Sequence, residues 1–402
     1  MENDMLERIP VEIWLHIFHP LVRIGIAPPE NGTLLQEIKL FEFRSNSSEK
    51  IRALDVERTR ISLVCQHFYQ VLRREAPRVA VVDIRGNMSK YSAHELLDSH
   101  RLELMRRIEF MSIPPQWLSQ TWPELQVLVG SWTKDALIFL DHTPQLKVLQ
   151  IAGYSRSGET GGHSILHHPV VSQLTHLSVD ILVDGRHQTL NLPRLQFLCL
   201  RLRASTREAS LPWTFPRLRS LVIRGSIDIS TRDTLIPFFQ AHGSSVTRLV
   251  DEATVLQGTR HVPTGILAHF PHLNVYGVSI VTFVTGVLPP HVTAPPTVHP
   301  LTILPLRLRV AIEWWGVTAG LEVLKRFMKY VAVEASYTPA MIMLDQRWDE
   351  VDVWALQISP DLCKLLLGFD SPQCPVVDSD MAWLRNLERF SSAGPRSCSY
   401  TI

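Results

Sequence analysis

A short leucine phrase returns through the middle of this chain at intervals too regular for an ordinary mixed domain. A Leu-x-x-Leu-x-apolar pattern, often introduced by proline, occurs eight times between residues 105 and 278. It reads Met105…Ile108…Phe110, Leu125…Leu128, Leu146…Leu149…Ile151 and Leu174…Leu177…Val179, then Leu195…Leu198…Leu200, Leu218…Leu221…Ile223, Val246…Leu249 and Leu273…Tyr276…Val278. Successive first positions lie 20, 21, 28, 21, 23, 28 and 27 residues apart, the range of a strand-plus-return repeat. Pro123, Pro144, Pro193, Pro216 and Pro271 each stand two residues before the first leucine. There a fixed φ stiffens the entry to a strand without removing a ladder donor. One unit cannot bury its own leucines, whereas stacked units share a core and set their strands side by side. The expected fold is therefore α/β, a repeat solenoid with a curved parallel sheet. A plain α/β domain with coincidental spacing is the alternative.

Side chains that alternate with the buried leucines are expected to point outward on the concave face of such a sheet. These are Gln150, His176, Ser178, Asp180, Phe197, Arg201, Ser220, Arg224 and Arg248. Arg201, Arg224 and Arg248 fall on nearby repeats and are candidates for a basic stripe that holds an acidic or phosphorylated ligand. Ordinary solubilising charge, paired with Asp180 or Glu252, would explain the same residues.

Two amphipathic segments precede the repeats. In residues 6–21, Ile9, Ile13 and Ile17 recur every fourth position, and Trp14, Phe18 and Leu21 widen the stripe. Pro10 suits a first helical turn, and Glu12 complements the helix dipole. Residues 58–75 read as a second helix with Ile61, Val64, Cys65, Phe68, Val71 and Leu72 on one face, ended by Pro77. Between them APPENG and SNSSE mark loops, and LLQEIKLFEF reads as a helical turn or two. The apolar surface of this helix pair either packs on the following domain or is kept for another chain.

Ile9-Pro10, Glu12-Ile13, Ile17-Phe18 and Leu21, followed by Ser62-Leu63-Val64-Cys65 and Phe68, resemble the F-box. Ile9 replaces the usual leucine, and residues 22–57 stand where the family has a short connector. A stretched connector is similar to those of F-box-like proteins of mushroom-forming fungi, and the repeats behind it resemble leucine-rich repeats. Those repeats read as degenerate, because the phrases lack the asparagine or cysteine that usually follows the last leucine. The resemblance implies a substrate-recognition subunit of an SCF-type cullin ubiquitin ligase. Its N-terminal helices would dock on the SKP-type adaptor, and its repeats would hold a protein substrate. By matching positions, Pro10, Ile13, Ile17, Phe18, Leu21, Leu63, Val64, Cys65 and Phe68 would carry adaptor contact or its supporting packing. A leucine-rich-repeat scaffold unconnected to ubiquitination is the alternative.

The domains expected are an F-box-like helical domain over 1–78 with its insertion at 22–57, and the repeats over 79–286. A C-terminal cap follows over 287–390, then a flexible tail over 391–402. Within the cap, PPHVTAPPTVHP at 289–300 reads as a connector, LRLRVAIEWW as a final strand and 319–335 as an amphipathic helix.

Composition narrows the partners. The 402 residues carry 40 Lys+Arg against 39 Asp+Glu, a balance that builds no global field for nucleic acid or an anionic membrane. Five cysteines without a C-x-x-C pair argue against a disulfide framework or zinc site and fit a reducing compartment. The most apolar run, Val275–Leu288, is 14 residues long, below the ~20 that span a bilayer. No basic n-region opens the chain, so a cytoplasmic or nuclear location is expected.

Neither an enzyme nor a cofactor is expected. GYSRSGETGGHS (153–164) lacks the Lys-Ser/Thr of a phosphate loop and the spacing of a nucleophile elbow. His163, His167 and His168 have helical metal spacing but follow Gly161-Gly162. Asp345, Asp349, Glu350 and Asp352 read as a solvated acidic face.

Overall fold

The structure is a computed structural model that describes residues 13, 34–41, 60, 63–64, 68, 78–82, 105–110, 113, 115–131, 135–152, 165–182, 189–203, 211–227, 235–255, 269–279, 302–306, 341–343 and 376–377. The expected connector at 289–300, final strand at 306–315, helix at 319–335 and tail at 391–402 lie wholly or almost wholly outside these residues, as do the 153–164 loop and the 345–352 acidic run. Two compact units make up the chain: Met1–Asp180 with Leu190–Phe197, and Ile181–Thr189 with Leu198–Ile402.

The fold is mixed α/β, built on parallel strands with few helices. In the first unit, strands β1 (Arg78–Val82), β2 (Met105–Phe110), β3 (Val127–Ser131), β4 (Val148–Ala152) and β5 (His176–Leu182) pair in parallel in chain order. Their register sets Ile108, Leu128, Leu149 and Leu177 side by side. All four are sealed from solvent, so each contributes ~1.5–3 kcal/mol of burial to one shared apolar row. Helices α1 (Leu34–Lys39) and α2 (Asp135–Asp141) belong to this unit, as does the two-residue strand β6 (Leu190–Asn191).

The second unit repeats the arrangement. It holds β7 (Phe197–Arg203, from Leu198), β8 (Trp213–Thr214), β9 (Ser220–Ile227), β10 (Arg248–Val255), β11 (Val275–Ser279), β12 (Thr302–Leu306), β13 (Met341–Met343) and β14 (Val376–Val377). Strands β9 to β14 pair in parallel, with Leu221, Leu249, Tyr276 and Ile303 in register. Strands β2 to β5, β7 and β9 to β11 coincide with the eight leucine phrases. Strand β12 lies just ahead of the 306–315 stretch read as the final strand.

The prolines have a defined task. Leu125, Leu146, Leu195, Leu218 and Leu273 each donate their N–H to the carbonyl three residues back, at 3.1–3.3 Å. These five phrases therefore open with a β-turn whose second position is proline, the position that its fixed φ favours. The residue after the leucine then bonds to its counterpart one repeat earlier. Gln126, Lys147, Thr175 and Gln196 donate in the first unit and Thr247, Asn274 and Thr302 in the second, at 2.8–3.0 Å.

Aromatic rings fill the return segments. Trp117 and Trp122 lie 5.2 Å apart, and Trp122 lies 5.7 Å from Phe139 of α2. In the second unit helix α3 (Ile236–His242) brings Phe238 and His242 against Phe215. His242 is buried, stacks on Phe215 at 5.4 Å and donates from Nε2 to the Trp213 carbonyl at 2.8 Å. Burial pulls its pKa below the ordinary histidine range, and the Trp213 carbonyl opposes that shift only in part. No helix among the described residues is long and apolar enough to cross a membrane.

Candidate functional site

The face opposite the leucine row departs from expectation. Alternation along each strand places Arg107, Val127, Val148 and His176 in one transverse row of the first unit, and Glu109, Val129, Gln150 and Ser178 in the next. Gln150, His176, Ser178, Asp180 and Phe197, expected to face solvent, are all buried. So is Ser220 of the second unit.

In the first unit one occupant of that face is α1, from the connector expected between the two amphipathic N-terminal segments. Leu34, Glu37, Ile38 and Phe41 fall at i, i+3, i+4 and i+7; the first three share one face of α1, and Phe41 follows in the turn that ends it. All four are buried. The Phe41 ring stacks on Phe197 at 5.3 Å, and Phe197 stacks in turn on His176 at 5.6 Å. The Leu40 carbonyl accepts a 2.9 Å bond from Arg107 Nη2. Glu37 Oε1 lies 3.8 Å from His176 Nε2, beyond hydrogen-bond reach, while His176 Nδ1 is engaged by the Thr175 hydroxyl at 2.9 Å.

Beneath α1 the Arg107 Nε donates to Glu109 Oε1 at 2.6 Å, with side-chain exposures of 0% and 1%. Two charges removed from water must satisfy each other, because either alone is strongly unfavourable there. Glu109 Oε2 and His176 Nε2 are buried and have no hydrogen-bond partner among the described residues. Sequence reasoning missed this cluster because charges alternating with apolar residues in a strand read as a solvated face. The signal that could have found it is the i, i+4, i+7 spacing of Leu34, Ile38 and Phe41.

The three arginines of the second unit do not form one row. Arg224 stands in register with Glu252 and pairs with it, Nε to Oε2 at 3.0 Å and Nη2 to Oε1 at 3.3 Å. Arg248 is in register with Ser220, four residues back along the strand, or ~13 Å at strand rise. Arg201 is exposed on β7, three residues past Leu198 as Arg224 is past Leu221. The structure thus gives Arg224 an acidic partner and separates Arg248 from it.

Of the N-terminal motif, Ile13, Leu63, Val64 and Phe68 are described, whereas Pro10, Ile17, Phe18, Leu21 and Cys65 lie outside the described residues. Ile13 and Phe68 have helical backbone, but Leu63 and Val64 form a turn in which Leu63 N–H bonds to the Arg60 carbonyl at 3.2 Å. The continuous helix expected over 58–75 is therefore interrupted there. Ile13 is 49% exposed, Leu63 79% and Val64 68%, while Phe68 is half-buried.

Among the described residues no three His, Cys, Asp or Glu side chains gather as a metal site requires. His163 lies outside the described residues and His167 is exposed. His168 serves structure: its Nδ1 accepts from Val170 N–H at the start of a 3-10 turn, Pro169–Gln173, and its Nε2 meets Asp141 at 3.0 Å. No family model matches the chain, and no curated protein is significantly similar to it.

Proposed function

We propose that the chain is the substrate-recognition subunit of an SCF-type cullin ubiquitin ligase, with an F-box-like N-terminus and a leucine-rich-repeat-like solenoid behind it. The observation that carries the reading is the exposure of Ile13, Leu63 and Val64, three apolar side chains at motif positions. Large apolar groups left in water are disfavoured unless another surface covers them. Parallel strands in chain order, each carrying one leucine phrase in register, support the solenoid. Such a subunit does no chemistry. It holds a target near a loaded conjugating enzyme and raises the target's effective concentration there.

The test is co-precipitation of the SKP-type adaptor by the full chain and by an Ile13→Asp, Leu63→Asp variant. Both substitutions are at exposed positions, so the variant is expected to keep its circular dichroism and lose the adaptor. Retention of the adaptor by a folded variant would overturn the role given to these exposed residues, and failure of the unmodified chain to capture the adaptor would leave a repeat scaffold unconnected to ubiquitination.

A further inference from the structure

The opposite faces of strands β2 to β5 are built from different chemistry. One carries Ile108, Leu128, Leu149 and Leu177; the other sets Arg107, Glu109, Gln150, His176, Ser178 and Asp180 among Val127, Val129 and Val148, all buried. A face sealed for good gains nothing from ion pairs and imidazoles, since apolar side chains of the same volume fill it at equal or lower free energy. Polar groups at such a place give directional recognition of whatever lies on them.

We propose that this polar face is a docking surface for a short amphipathic helix of a protein partner, and that Leu34–Phe41 is its resident, displaceable occupant. The contacts have the form of a recognised helix: apolar anchors at i, i+4 and i+7, an aromatic stack at one end, a carboxylate above a histidine, and a backbone carbonyl read by an arginine. The resident helix has six residues, whereas a free helix is marginal below ~12–15 residues, so docking itself holds it. The fit is also incomplete. Glu37 stops 3.8 Å from His176 Nε2, and Glu109 Oε2 is left without a hydrogen-bond partner. A partner helix with Leu-x-x-Glu-Ile-x-Leu-Phe chemistry, whose carboxylate reaches His176 and which brings a donor to Glu109, binds in the same place with both atoms satisfied.

This deepens the substrate-holding half of the proposed function and makes no use of adaptor docking. The test begins with hydrogen exchange on the unmodified full-length chain. The Leu40 and Phe41 amides, bonded to the Glu37 and Ile38 carbonyls, are expected to exchange at least ~10-fold faster than those of Leu128, Leu149 and Leu177, as local release requires. Equal rates would make α1 an integral part of the core and overturn the proposal. A fluorescent peptide of residues 32–43 is then titrated into the full chain and into its Phe41→Ala variant. Binding at least ~10-fold tighter to the variant is expected, and equal or absent binding overturns the proposal. Should Phe41→Ala not fold, the exchange measurement decides alone. Adaptor co-precipitation run in parallel reports separately on the N-terminal motif.

Discussion

Arginine 107 and glutamate 109 provide the sharpest energetic test of this fold. Their side chains are sealed, their charges meet at 2.6 Å, and the arginine also reaches the Leu40 carbonyl. Arg107→Met keeps most of the side-chain volume but leaves a carboxylate buried without its cation, which costs about 3–5 kcal/mol. Arg107→Met with Glu109→Leu removes both charges, and such apolar replacement is often neutral or stabilising. The Leu40 carbonyl bond is lost in both variants, a cost of about 1.5–3 kcal/mol for a hydrogen bond to a charged group. That cost cancels between the two, so the double variant should recover about 3–5 kcal/mol of the single variant's loss. With a urea slope of ~1–3 kcal/mol/M, that recovery moves the midpoint by about 1–5 M. Because the chain has two units, the midpoint is best read by hydrogen exchange of residues 127–131 and 148–152. A double variant as unstable as the single would show that Arg107 acts through packing and its Leu40 bond, and the charge argument would fail.

Gly225 has φ +105°, and a Cβ there would collide with the Leu202 carbonyl oxygen. Gly225→Ala should destabilise the second unit by at least ~1–2 kcal/mol in thermal unfolding. His242 is held neutral by burial, so the unfolded chain binds its proton at higher pH than the folded one. Stability should be fully present above about pH 6.5 and decline as pH falls from there to the lower folded value. His242→Phe should flatten that part of the pH profile of the melting temperature, and an unchanged slope would assign it to other groups. Arg201→Glu should change the set of partners captured by proximity labelling without altering stability. Arg224→Glu faces Glu252 and should also destabilise the second unit, by about 1.5–3 kcal/mol for a lost charged hydrogen bond in a part-buried pair.

The strands were legible because their signal is local. A proline turn, a leucine three residues on and a second leucine at fixed offset specify where each strand starts, and strands β2 to β5, β7 and β9 to β11 occur there. The second face was not legible, because α1, which lies against His176 and Phe197, comes from more than 100 residues earlier in the chain. Burial of Arg107 and Glu109 was not legible for the same reason: their charge argues for water, and only three-dimensional pairing reverses it. Helices α2 and α3 have seven residues each, too few for apolar periodicity to announce them, although Pro237 and Gly243 mark the start and end of α3. Among the candidate site residues Ile13, Leu63 and Val64 are exposed, and the turn at Leu63 does not follow from periodicity. The Arg224–Glu252 pair was one of two readings the sequence left open, and register places the two side by side.

The backbone bonds that join each phrase to the one before it have a consequence for how this chain tolerates change. Leu128 and Leu149 are 21 residues apart and Leu149 and Leu177 are 28 apart, yet both pairs align rung for rung. Distance across the sheet is metered by rungs at ~4.8 Å each, whatever the length of chain between one rung and the next. Insertions between rungs that spare packed side chains such as Phe139 and Leu140 should therefore leave the spacing of the ladder unchanged.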